Sequence, residues 1–405
     1  MENNNKNSIT PVGSTNLVGV GNSIEITQRI LSEYKKRELD KIPFKGMLYD
    51  EIEISSNIKQ ILAYGNSDFL IIGEDSIAVF SAENKSMGEP IHFYTSNKDL
   101  IKIDHAAFDN SRNIIAIASD NLIYVVKING EILQTIHGHT KSIINLIFSN
   151  DETKLISASR GDDTIRIWNT KYWECTTVLK GYRYVRDLGI TSDDRFLYFI
   201  SDEKKNKLFK FDLFDLKEAA NIDLLNETNL EEDEALKTYT NGTIELSKDD
   251  KFLIIASVDD DFFYDDFAFS VFDSIKILIA ENFKLHTKLE LYKGIYSTDS
   301  SINYNIVVSN DNKLLISISD DRYNAYMHIW HLCDFEQIKT CTIDNPSIET
   351  SCYNNWKEFT KNFKFKRCRR PCFSNDSKYL LLDCSYFDTD DGFYFYEYNT
   401  LKIWI

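Results

Sequence analysis

Glycine and proline are scarce, 15 and 5 residues in a chain of 405. That excludes collagen-like and low-complexity architectures, and it leaves tight turns to Asn and Asp, whose side chains bond their own backbone. No run approaches the roughly 18 to 20 apolar residues that cross a bilayer as a helix. The opening MENNNKNSITPVGSTNLVGVG lacks a basic segment followed by an apolar core, so no signal peptide is expected. The seven cysteines are odd in number and scattered. They read as reduced thiols of a cytoplasmic protein rather than a disulfide framework. Cys368 and Cys372, with Cys352 upstream, are accompanied in their own segment by no Cys-x-x-Cys or His-x-His, and there is no Gly-rich phosphate loop. No metal and no cofactor are therefore expected. Basic residues are outnumbered, 46 against 63 acidic, for a net charge of -17. Such a balance disfavours nucleic acid and anionic membranes as partners.

What the chain has in quantity is apolar sequence, 43% hydrophobic and 13% aromatic, over a length that suits an array of small units better than one core. It is arranged as a repeat. A turn rich in Asn, Asp and Ser joins two apolar runs beginning at Phe108 (FDNSRNIIAIAS), Phe148 (FSNDETKLISAS) and Ile190 (ITSDDRFLYFIS). It returns at Leu246 (LSKDDKFLIIAS), Val308 (VSNDNKLLISIS) and Phe373 (FSNDSKYLLLDCS), with a degenerate first copy at Tyr64 (YGNSDFLIIG). A third run follows each turn: IAVF (77–80), IYVV (123–126), IRIW (165–168), LFKF (208–211), FSVF (269–272), MHIW (327–330) and FYFY (393–396). Both markers count seven units. A single sheet of four strands, apolar on both faces, cannot stand alone; stacked between neighbours in a closed ring, it buries both faces. Phe80, Trp168, Phe211, Phe272, Trp330 and Tyr396 are expected to pack between units.

The clearest copy is GHTKSIINLIFSNDETKLISASRGDDTIRIWN (138–169), with a Gly-His pair at 138 and 139 and an Ile-Trp-Asn ending. It resembles the WD40 family of β-propellers. The resemblance implies an all-β fold over residues 47–405, a seven-bladed β-propeller of four-stranded antiparallel blades. It also implies a hydrogen-bonded tetrad of His, Ser, Asp and Trp. The third unit offers His139, Ser157 or Ser159, Asp162 or Asp163, and Trp168; Ser157 and Asp163 are taken as its members. The other units have lost the Gly-His pair. The tetrad is read as structural, not as a nucleophilic triad. Closure of the last blade falls to Leu48–Ile54 or to residues 401–405, with the N-terminal segment favoured.

Residues 1–21 are expected to be a disordered polar N-terminus. Residues 22–46 are expected to form a helical extension. Asn22 and Glu25 have capping-box spacing, Ile26, Ile30, Leu31 and Tyr34 share a face, and Pro43 marks the stop. Such a helix packs on the rim or serves as an interaction arm.

The extra length is uneven. The turns between first and second strands stay short. The connections that swell join one blade to the next (226–241, 292–301, 344–365) or second strands to third (258–267, 320–326, 385–392). In a propeller these two kinds emerge on one face, and loops held by a rigid scaffold are where binding concentrates. Two charge clusters fall there. Asp259, Asp260, Asp261, Asp265 and Asp266 surround Phe262, Phe263 and Tyr264, forming an acidic, aromatic edge. The segment WKEFTKNFKFKRCRR (356–370) is the one basic concentration and holds Trp356, Lys366, Arg367, Arg369 and Arg370. It either binds a ligand or neutralises the acidic loops beside it. Alignment on Phe373 sets Arg369 and Arg370 against Ile144 and Asn145, early in the innermost strand.

The expected function is a non-catalytic protein-protein interaction scaffold whose partner, unidentified, meets this face. Arg186, Arg369 and Arg370 are the expected ionic contacts, and Tyr304 and Trp356 the anchors. The rivals are a propeller hydrolase with a channel-mouth site, for which His105, Asp104 and Asp187 are the sparse candidates, and a ligand-sensing module acting with a separate effector.

Overall fold

A computed structural model describes residues 46–54, 57–185, 187–201, 207–223, 243–261, 270–290, 305–320, 325–343, 364–390 and 393–405, with Ile42 and Phe44. The chain divides into two compact units, Met1–Pro43 and Phe44–Ile405. The expected polar N-terminus and helix lie outside the described residues but for Ile42, Phe44 and Gly46, none of which is helical.

The second unit is all-β, with seven antiparallel sheets. Blade 3 shows the plan: Ile143–Phe148 innermost, then Lys154–Ser159, Thr164–Asn169 and Glu174–Lys180. Each innermost strand contacts the next, and that of blade 7 returns to that of blade 1, so the ring closes. Blade 1 departs at its outer edge, where Ser86–Met87 and Ile91–His92 each pair with the third strand, Ser76–Ser81. Hydrophobic clusters form between blades rather than within them. One joins Ala116, Ile123 and Val125 of blade 2 to Leu146, Leu155 and Trp168 of blade 3. Another joins Ile156 and Ile165 of blade 3 to Leu197, Phe199 and Phe211 of blade 4.

The last blade is closed from the N-terminus. Leu48–Ile54 is its outer strand and pairs with Phe393–Trp404, its third. Residues 401–405 are therefore not the outer strand: 401–404 end the third strand, and Ile405 follows it. Two of the third-strand markers need correction for the same reason. By register, Leu380 faces Trp404 as Leu155 faces Trp168, and Leu253 faces Leu278. LKIW (401–404) and IKIL (275–278) thus hold the third-strand positions of blades 7 and 5, and Trp404 and Leu278, not Tyr396 and Phe272, take the place between blades. The hairpins of these blades simply continue beyond the ring, as ladders from Val258↔Asp273 to Asp261↔Ser270 and from Ser385↔Asn399 to Asp390↔Phe393. Much of what reads as loop at 258–267 and 385–392 is strand.

The scarcity of glycine has its explanation in the first turns. Ser149, Thr191, Ser247 and Ser309 each donate a hydroxyl to the Asp two residues on, at 2.6 to 2.7 Å. Each hydroxyl then accepts the backbone N–H five residues on, at 2.9 to 3.0 Å. The residue after that Asp takes a positive φ: Glu152 57°, Asp194 59°, Asp250 58° and Asn312 58°. Asn and Asp tolerate that region well among residues with a Cβ. Its side chain then accepts N–H groups from the preceding blade. Asn150 and Asp151 donate to Asp194 (2.6 and 2.7 Å), Ser192 to Asp250 (2.9 Å) and Lys248 to Asn312 (2.7 Å). At the closing junction Asn375 Nδ2 donates to the Gly65 carbonyl (2.6 Å). Two adjacent residues therefore divide the work: the Asp shapes its own turn, and the residue after it ties that turn to the neighbouring one along this rim.

Candidate binding surface and channel

Within blade 3 the tetrad is assembled as a chain of donors. Trp168 Nε1–H donates to Ser157 Oγ (2.8 Å), Ser157 Oγ lies 2.7 Å from His139 Nε2, and His139 Nδ1 lies 2.8 Å from Asp162 Oδ2. Asp162 also accepts the Thr140 and Thr164 N–H groups and the Thr164 hydroxyl. Burial holds the His139 pKa below its usual value, against the opposing pull of Asp162, so the ring is neutral and donates through Nδ1. The carboxylate is Asp162; Asp163 is the corrected member. Asp163 instead occupies the left-handed turn position (φ 53°) and lies 3.5 Å from Arg183 Nε. Gly138 is required by close approach, since a Cβ there would sit 2.7 Å from the Trp168 ring. Ser157 is fully buried, which denies it to any substrate. Blade 6 keeps half of the device, Trp330 Nε1–H donating to Ser317 Oγ at 3.0 Å. The missing Gly-His pair hid that remnant from the sequence reading, although Ser317 and Trp330 stand at the repeat positions.

The channel holds a second regular feature. Counting from the residue paired with the start of each second strand, one register level carries Gln60, His105, Asn145, Asp187, Thr243, Asn305 and Arg369. Every blade thus places a polar residue at the same height of its innermost strand. Several bond across to the next blade. Gln60 Oε1 accepts the Ala106 N–H (3.0 Å), Asn145 Nδ2 donates to the Val185 carbonyl (3.5 Å), and Asp187 Oδ2 accepts the Ile244 N–H (2.9 Å). Inner strands present an unpaired edge, and these side chains satisfy part of it. Gln60, His105, Asn145 and Asp187 line a cavity of about 490 Å³.

In blade 7 the ladder shifts between Arg369 and Cys372, around Pro371, which has no N–H to offer. The bulge sets Arg369, rather than Arg370, level with Asn145. Lys366, Arg367, Arg369 and Arg370 all lie in the innermost strand, Lys364–Phe373, and not in a loop. Arg186, Phe262, Phe263, Tyr264, Tyr304 and Trp356 lie outside the described residues.

Burial drives the Asp187 pKa up to about 7, although the Ile244 and Leu188 N–H groups pull it down; nearby Glu245 adds to the rise. Folded Asp187 thus binds its proton more tightly than the unfolded chain does. Its stabilising contribution is full below the ordinary carboxylate pKa of 3.8 and is lost as pH rises through 7. Urea unfolding is expected to show stability declining between pH 4 and pH 7, with that decline reduced in Asp187→Asn. An equal slope in both proteins would remove Asp187 as its source. His105 is held down to about 4 by burial. Asp104 accepts the Asp120 N–H (2.8 Å) and is exposed. Among the described residues, the one group of three possible metal donors within reach of one another lies elsewhere.

On the rim opposite the short turns, blades 3 and 4 present a group that the sequence reading missed. Arg160 stands 5.3 Å from the Tyr184 ring centre, with Arg183 exposed in the connection that holds Tyr184 and Lys141 exposed in the connection that enters blade 3. The signal was dispersed, because residues 141, 160 and 183–184 come from three separate connections.

The sequence profile of the WD domain, G-beta repeat, matches residues 130–169. Pre-mRNA-processing factor 19 of Bos taurus and of Mus musculus are each 27% identical over 106 residues, 26% of this chain and 21% of theirs. The Homo sapiens protein of that name is 30% identical over 81 residues, 20% of this chain and 16% of its own. The chain spans about a fifth of the length of the curated relatives it matches.

Proposed function

We propose that this chain, a WD40-like β-propeller, is a non-catalytic scaffold that binds a protein partner through the face opposite its short turns. One observation carries the reading. On the short-turn rim, the donors and acceptors of neighbouring turns are largely spent on one another, whereas every long connection departs from the other rim. A face whose polar groups are already satisfied has little to offer a partner. The other face carries the extended hairpins of blades 5 and 7 and the basic innermost strand of blade 7.

The partner's ionic contacts are assigned to Arg186, Lys366, Arg367, Arg369 and Arg370, joined by Arg160 and Arg183. Its anchors are Tyr304, Trp356 and Tyr184, and the acidic edge at Phe262, Phe263 and Tyr264 is the second contact. Tyr, Trp and Arg are the residues that most often dominate binding energy at interfaces. The proposed setting is the cytosol. The likeness to pre-mRNA-processing factor 19 supports the scaffold reading.

Charge reversal tests the assignment. Arg369 is the register partner of buried Asp383, so a glutamate there would oppose two acids across the ladder and destabilise the blade. Arg367→Glu combined with Arg370→Glu avoids that pairing. The double variant is expected to lose partners captured by the wild-type chain from its native source, with an unchanged thermal midpoint. Undiminished capture would remove this strand from the interface.

A further inference from the structure

A cluster that the proposed function does not use lies at the outer edge of blade 6, in the turn from Ala325–His331 to Gln337–Thr342. Its sequence is His331-Leu332-Cys333-Asp334. His331 Nδ1 is 3.1 Å from Cys333 Sγ and 3.3 Å from Asp334 Oδ1, and one donor atom from each residue lies within 4.8 Å of the others.

The fold does not require these residue types. The matching turn of blade 3 is capped by Asn169, whose Oδ1 accepts the Lys171 and Tyr172 N–H groups. In blade 4, Asp212 caps the Phe214 and Asp215 N–H groups in the same way. In blade 6 that position is His331, and capping passes to Asp334, whose Oδ1 accepts the Glu336 N–H at 3.1 Å. The backbone is nevertheless the same. Phe335 has φ 56° where Trp173 has 57° and Leu216 has 53°. Bonds from Phe335 N–H to the His331 carbonyl (2.8 Å) and from His331 N–H to the Glu336 carbonyl (2.9 Å) close the turn. Leu332 and Phe335, 2% and 6% exposed, anchor it in the core between blades 5 and 6. The turn is thus closed by its backbone and by Asp334, and the imidazole of His331 and the thiol of Cys333 are donor types that turn formation does not explain.

We propose that His331, Cys333 and Asp334 form a binding site for a zinc-class divalent cation. Imidazole, thiolate and carboxylate are the three ligand types zinc accepts, and a thiolate excludes the hard oxygen-seeking calcium and magnesium. Tetrahedral bonds of about 2.0 to 2.3 Å place neighbouring ligand atoms roughly 3.3 to 3.7 Å apart. The two separations from His331 Nδ1 lie at or just below that range, and the third is no more than 4.8 Å. The Cys333 side of the cluster is exposed, which leaves the fourth position to water and makes the ion exchangeable.

The test is cobalt titration of the full chain, stripped of metal and held reduced. One equivalent is expected to give a thiolate-to-cobalt charge-transfer band in the near ultraviolet, which zinc then displaces. Cys333→Ser is expected to abolish the band. His331→Ala and Asp334→Asn are each expected to weaken cobalt binding about tenfold or more, since even outer partners of a metal site contribute that much. Far-ultraviolet circular dichroism identifies the variants that keep the fold, and the three substitutions give independent readings. No saturable band in the wild type would overturn the site, as would a band that persists in Cys333→Ser, which would assign it to one of the other six cysteines.

Discussion

A chain beginning at residue 57 is expected to lose most of its propeller stability, whereas one beginning at Phe44 retains the closing strand. Leu48–Ile54 supplies the outer strand of blade 7 and pairs with the third strand from Asn399 to Trp404, with one register shift between Leu48 and Asp50. Ile52 and Ile54 pack against the cluster that joins blade 7 to blade 1, alongside Leu381, Leu401, Ile403 and Phe69. Met47 and Ile405 exchange two backbone bonds, at 3.0 and 2.9 Å. Removal would also strip Lys402, 4% exposed, of Glu51, which holds its ammonium at 2.8 Å. An ammonium buried without its partner is among the costlier defects available, and an apolar strand edge left open invites pairing with another chain. Together these losses are on the order of 5 kcal/mol or more, comparable to the whole margin of a typical domain. Urea denaturation and analytical ultracentrifugation of the two truncations provide the measurement. Matching midpoints for the chains from 44 and from 57 would mean that the ring closes by some other means.

The ring and its count were legible because they rest on two markers that physics makes repeat, the Ser/Thr-x-Asp turn and the apolar third strand. Closure from Leu48–Ile54 was legible as the favoured alternative. The third strands of blades 5 and 7 were misplaced because FSVF and FYFY satisfy the same alternation as IKIL and LKIW. When a hairpin extends past its blade, period alone cannot say which part lies inside the ring. Asp162 and Asp163 were indistinguishable in the sequence, since both sit in a turn that welcomes an acid; only backbone geometry sends one inward and the other into the left-handed region. The polar level in the channel was illegible because its members, Gln60 to Arg369, share neither type nor charge. They share only a register, and in blade 7 the bulge at Pro371 displaces it by one residue. Of the residues assigned to the binding face, Arg369 and its neighbours acquired a strand and a register, which is a matter of backbone, while their partner chemistry is set by connections whose residues no repeat rule constrains.

Trp168→Ala is expected to cost about 3 to 5 kcal/mol, the range for emptying a buried aromatic site. Its ring is 2% exposed and fills the junction of blades 2 and 3 against Leu155, Leu146 and Ile143. The indole N–H is a smaller part of the effect. Trp168→Phe keeps most of the volume and forfeits the bond to Ser157, so about 1 to 2 kcal/mol is expected. The carboxylates separate the tetrad from its surroundings more sharply. Asp162→Asn and Asp163→Asn are the same chemical change on adjacent residues. Asp162 accepts four donors, from His139, Thr140 and twice from Thr164. An amide places N–H groups against some of these, leaving the buried His139 without its acceptor, for an expected loss of about 1 to 3 kcal/mol. Asp163 carries only an exposed contact with Arg183 at 3.5 Å, worth about 0 to 1 kcal/mol. Equilibrium urea unfolding of the four variants therefore orders them as Trp168→Ala, Asp162→Asn, Trp168→Phe and Asp163→Asn, the middle two close together. A loss at Asp163→Asn equal to that at Asp162→Asn would contradict the donor chain, because it would require a second carboxylate to support His139 where the geometry provides one.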